Sequence, residues 1–168
     1  DDDVAAVAVD DDVIESLICF HYVDRNELRN RWMGYMAKER ADLFSDALLR
    51  FWSAIQDCGI ERYPGFREVL QKQLFDQVLP QLVLPVLRSM RRINKKFLPL
   101  LLLAGFRHVA HDKLLQICER RLHSDEYMPV VQRVYWFGAA YLLAPDQYWS
   151  RLFDYVGRTR EKALPLLG

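Results

Sequence analysis

Apolar residues recur at three- and four-residue spacing along most of this chain, and that period constrains the fold more than any other feature. Leu43, Ala47, Leu48, Phe51, Trp52 and Ile55 form the clearest stripe, which only an α-helix gathers onto one face. A stripe of Val13, Ile14, Leu17 and Ile18 follows Asp12, whose side chain suits an N-cap. Asp24 and Glu27 match a capping box for a helix running to about Ala37. Phe66, Val69, Leu70, Leu74 and Val78 restart the period after the turn Tyr63-Pro64-Gly65. Further helices are predicted over 110–122, 127–143 and 146–156.

No segment alternates apolar and polar residues, and the Asn-Gly and Asp-Gly turns of hairpin sheets are absent. The expected fold is therefore all-α, a single domain of about seven to nine short helices stacked as repeat-like hairpins. Residues 13–158 form that helical domain, 1–12 an acidic arm or tail, and 159–168 a C-terminal tail. Pro80, Pro85 and Pro99 each remove an amide, so 81–105 is expected to be short, kinked or staggered helices. The apolar run 97–106 is about half of what a membrane-spanning helix needs and is expected to lie in the core.

The formal net charge is zero, yet the two parts of the chain differ. Residues up to Ile60 hold 6 basic and 13 acidic side chains, and those from Glu61 onward hold 17 and 10. That polarity disfavours indiscriminate nucleic-acid binding and suits docking against a charged protein partner. Cys19, Cys58 and Cys118 are odd in number and widely separated, which indicates neither a disulfide framework nor a zinc site. The start at Asp1, with no secretory signal or Arg-rich presequence after it, fits a trimmed form left by organelle import and fits a cloned fragment equally.

His108 and His111, followed by Asp112, have the spacing of two imidazoles on one helical face, but no third ligand lies close in sequence and no HExxH pattern is present. A polar cap or surface role is the expectation, with no metal and no cofactor. No GxSxG elbow, GxGxxG or GxxxxGK segment occurs, so no catalytic residue is assigned and the chain is not expected to be an enzyme.

Two segments stand out as candidate partner-binding sites. Arg88, Arg91, Arg92, Lys95 and Lys96 place five positive charges in nine residues, a face able to hold phosphates, to meet an acidic protein surface, or to stand solvated. Aromatic residues crowd the last third of the chain, where two short helices cannot turn all of them inward. Tyr148 and Trp149, just after Pro145-Asp146, are the expected exposed pair.

The segment Ala47-Leu48-Leu49-Arg50-Phe51-Trp52, with Ile55 and Cys58-Gly59-Ile60, resembles the second helix and exit turn of a pentatricopeptide repeat. Leu100-Leu101-Leu102-Leu103-Ala104-Gly105-Phe106, with Leu114-Leu115, is similar to the octotricopeptide-like repeats of organellar RNA-metabolism proteins. Superposing Ala104 on Leu142 also aligns Leu114 with Leu152, Leu115 with Phe153, Ile117 with Tyr155 and Cys118 with Val156. The regular polar code of an RNA-reading array is not evident. Such a short, neutral, degenerate array is similar to the small helical-repeat subunits on the catalytic head of mitochondrial ATP synthase in kinetoplastids and euglenids. That resemblance implies a non-catalytic accessory subunit in the mitochondrial matrix or on the matrix face of the inner membrane, bound to an α-subunit of the head. An organellar RNA-binding protein, or an accessory subunit of a mitochondrial ribosome or respiratory complex, is the alternative.

The repeat-like turn makes Gly59 a left-handed helix end, with Ile60 turning back onto the bundle. A Gly59→Val variant should lose about 1 kcal/mol or more, seen as a lower melting temperature, because a β-branched side chain is penalised there. An unchanged melting temperature would mean that the helix runs through this position.

Overall fold

The computed structural model describes residues 12–13, 16–18, 31–58, 60, 63–89, 97–124 and 127–159. All regular elements among them are helical and none is a strand, so the fold is all-α. The helices are α1 (Arg31–Glu39), α2 (Ala41–Asp57), α3 (Phe66–Gln71), α4 (Leu79–Ser89), α5 (Leu98–His108), α6 (His111–Leu122), α7 (Val130–Leu143) and α8 (Pro145–Arg158). A 3-10 turn, Gln73–Phe75, separates α3 from α4, and residues 12–13 and 16–18 are helical as well. Packing divides the chain into two compact units, Asp1–Leu100 and Leu101–Gly168.

In the first unit α2 and α4 pack together, each through one stripe. Phe44, Ala47, Leu48, Phe51 and Trp52 are buried on α2, and Leu79, Leu82, Val83, Val86 and Leu87 on α4. Both sets follow the three- and four-residue spacing of a helix half covered by its neighbour. Phe44 also stacks on Phe75 of the 3-10 turn, with ring centroids 5.8 Å apart and planes 9° from parallel.

A type II turn at Tyr63-Pro64-Gly65-Phe66 closes this core. Pro64 supplies the fixed φ of the second position, and Gly65 takes φ 70° and ψ −9°, which a side chain would oppose. The Phe66 amide donates to the Tyr63 carbonyl at 3.3 Å. The turn itself leaves the Pro64 carbonyl unused, and the fully buried Trp52 indole donates to it at 3.0 Å. Phe66 then lies 4.8 Å from the Trp52 ring and 5.3 Å from Phe97.

Several expectations are corrected here. The helix predicted through 66–78 stops at Gln71, because the chain tightens into the 3-10 turn that carries Phe75 into the core. The expected short helices of 81–105 are present among the described residues as α4 and α5, and Pro80 and Pro99 are each the second residue of one, where the missing amide would have had no helical partner. Pro85 sits inside α4, where the carbonyl it leaves unpaired belongs to the exposed Gln81. Ile60 is 51% exposed rather than folded back onto the core, although its amide donates to the Ile55 carbonyl at 3.1 Å, the long bond of a Schellman ending. Gly59 itself, Asp24, Glu27 and the arm 1–11 lie outside the described residues, as does the tail from 160 onward.

In the second unit α7 packs against both α6 and α8. Trp136, Ala139 and Ala140 are its buried residues, and on α6 they are Leu114, Ile117 and Cys118. The run at 97–106 is largely core, with Leu98, Leu101, Leu102 and Ala104 buried, but Leu103 stands half exposed.

Two glycine substitutions should move stability in opposite directions. Gly65→Ala should cost about 1–3 kcal/mol by straining the turn. Gly138→Ala should stabilise by about 0.5–1 kcal/mol, since no described atom lies within 4 Å of where its Cβ would stand in mid-helix. Denaturant midpoints of the two variants check both signs.

Candidate functional site

Helix α7, VVQRVYWFGAAYLL, carries a single charged residue, Arg133, whose Nε is buried without a hydrogen-bond partner among the described residues. A helix that is apolar on all sides is normally covered on all sides. Here only three of its 14 residues are buried. Leu142 is 67% exposed, and Val134 and Gly138 precede it at four-residue steps along the same row.

Helix α8 continues this apolar surface. Pro145 opens it in a position that suits proline, and Asp146 in the first turn favours the helix dipole. Trp149 and Phe153, one turn apart, are 54% and 52% exposed. Their ring centroids are 4.1 Å apart, and Trp149 lies 5.6 Å from Tyr141 of α7. Phe137 and Tyr155 make a second contact between the two helices at 5.2 Å. Tyr141, Trp149 and Phe153 thus form one aromatic cluster by ring contact, with Leu142 exposed beside Tyr141 in sequence, and the exposed Asp146, Ser150, Asp154 and Arg158 follow one another at four-residue steps along α8.

The expected exposed pair is thus split. Trp149 is on the surface, but Tyr148 is only 2% exposed and must be corrected to a core residue. Its hydroxyl donates to Glu119 Oε1 on α6 at 3.2 Å. Burial, followed by the Glu119 charge, pushes its phenol above the ordinary tyrosine range. Adjacent positions on a helix point about 100° apart, so the two could not share one face. The exposure of Leu142 and Phe153 was missed, although the charge-poor stretch 134–143 was a readable sign.

Of the basic segment, Arg88 is exposed at the end of α4, and Arg91, Arg92, Lys95 and Lys96 lie outside the described residues. His108 and His111 do not share a helix: the first ends α5 and the second opens α6. Among the described residues no group of three or more His, Cys, Asp or Glu side chains is placed to hold a metal. No described helix is long and apolar enough to cross a membrane. The residues superposed at a 38-residue shift differ in setting, since Leu114, Ile117 and Cys118 are buried, whereas Leu152, Tyr155 and Val156 are partly covered and Phe153 is half exposed.

Comparison with known proteins gives no match to the chain among family models, curated proteins or solved structures.

Cys118 lies in the same core as Tyr148, and burial is the main cause that pushes its thiol from 9.0 up to about 12. Above pH 9.0 an unfolded chain loses this proton while the folded chain keeps it, so stability falls as pH rises from 9.0 toward about 12. The slope from this group is on the order of 1.4 kcal/mol per pH unit. A Cys118→Ala variant should therefore lose melting temperature more gradually over that range than the parent protein.

Proposed function

We propose that this protein is a non-catalytic accessory subunit that docks onto a larger assembly through the outer face of α7 and α8. The observation that carries this reading is the exposed apolar surface of Leu142, Trp149 and Phe153, continuous with the charge-free row Val134, Gly138 and Leu142. Contiguous apolar surface rimmed by polar residues marks interaction sites. Large aromatic side chains are also those that most often dominate binding energy when a partner covers them. The uneven distribution of charge along the chain suits attachment in one orientation.

The assembly proposed is a mitochondrial multiprotein complex, with the outside of the ATP synthase catalytic head as the attachment point that the repeat resemblance favours. In this reading nucleotide chemistry belongs to the neighbouring subunits. Native mass spectrometry and native gels of gentle organelle extracts test it. The chain should comigrate with ATP synthase or another large complex, and Trp149→Glu should shift it to the free pool. A natural protein that runs as a free monomer in such extracts would refute the proposal.

A further inference from the structure

The division of the chain falls inside α5, between Leu100 and Leu101, and each unit carries a core of its own. In the first, α2 packs on α1 and α4, with Phe44, Leu48, Trp52 and Leu82 fully buried. In the second, α7 packs on α6 and α8, with Leu114, Cys118, Trp136, Ala140 and Tyr148 buried. Helices that pack chiefly on one another make and lose their contacts together, which is the condition for a unit that opens cooperatively.

The two cores are unequal. Six of the 17 residues of α2 and five of the 11 of α4 are buried. On α7 the figure is three of 14, and on α8 it is one of 14, Tyr148. Removal of apolar surface from water is the main favourable term in folding, so for a similar length of helix the second unit is held less strongly. Gly138 in the middle of α7 lowers the stability of that helix further. The second unit also contains its own reporter, because Cys118 is a free thiol buried on α6. A reagent in solution reaches it only when the structure around it opens.

We infer that the second unit opens as a cooperative whole while the first stays folded, and that this partial opening, rather than unfolding of the entire chain, brings Cys118 to solvent. Opening free energies within one protein span a range from near zero up to that of global unfolding, and the less buried unit lies at the lower end. Leu142, Trp149 and Phe153 belong to the helices that open, so their arrangement lasts only while the unit is closed.

The test follows modification of Cys118 in the full chain by iodoacetamide at neutral pH without denaturant, read at the Cys118 peptide by mass spectrometry. With a slow reagent the rate is proportional to the open population. Gly138→Ala and Ala140→Gly both lie on α7, away from the helix that carries the thiol. The first should slow modification by about two- to fivefold and the second should speed it by a similar factor or more, as their effects on helix stability require. Gly65→Ala and Trp52→Phe weaken the first unit, and both should leave the Cys118 rate unchanged while lowering the denaturant midpoint of that unit. A Cys118 rate that rises with either of these two variants would overturn the inference, because the units would then open together. A rate indifferent to both α7 variants would overturn it as well, since only local fraying of α6 would then expose the thiol.

Discussion

Helix α7 holds 14 residues and a single charge, and removing its apolar surface from water is the constraint around which the second unit is organised. Helices α6 and α8 cover it from two sides. Trp136, Ala139 and Ala140 are buried, and small residues there let neighbouring backbones come close. Tyr148 anchors α8 to α6 by donating its hydroxyl to Glu119, and burial, followed by the Glu119 charge, pushes the phenol above its ordinary range. Arg121 of α6 lies over the Trp136 ring at 6.0 Å, adding a cation–π contact to the same core. Two neighbours cannot enclose a helix that is apolar all round, and the uncovered side is the one that α8 extends with Trp149 and Phe153.

The first unit solves a similar problem with a turn. Trp52 is the largest fully buried side chain on α2, and a buried indole N–H without a partner is costly. The type II turn at Pro64-Gly65 offers the Pro64 carbonyl, which its own hydrogen bond leaves free. It also starts α3, so that Phe66 meets the face of the tryptophan it has helped to satisfy. Sequence, local geometry and packing agree at this point, which ties α2, α3 and Phe97 together.

Much of this was legible in the amino acids. The helical period located α2, α6, α7 and α8 to within a few residues, because each carries a long stripe and ends at a proline, glycine or polar cluster. The 3-10 turn at Gln73–Phe75 was not legible, since Leu74 and Phe75 fit a continuing helix equally well by spacing. Only Phe75 stacking on Phe44, a tertiary contact, decides it. For the docking face, composition gave the crowd of aromatics but not their directions. Tyr148 and Trp149 are neighbours with similar chemistry, and their opposite fates follow from which one meets Glu119.

Covalent footprinting of the protein alone and within its natural assembly tests the central claim most directly. Carbene labelling should modify Trp149, Phe153 and Leu142 strongly in the free chain and weakly in the assembly, while Ile60 and Leu74 of the first unit keep their labelling. Equal modification of Trp149 and Leu142 in both states would contradict the account, because the apolar surface of α7 and α8 would then stay open to water where it is proposed to be covered.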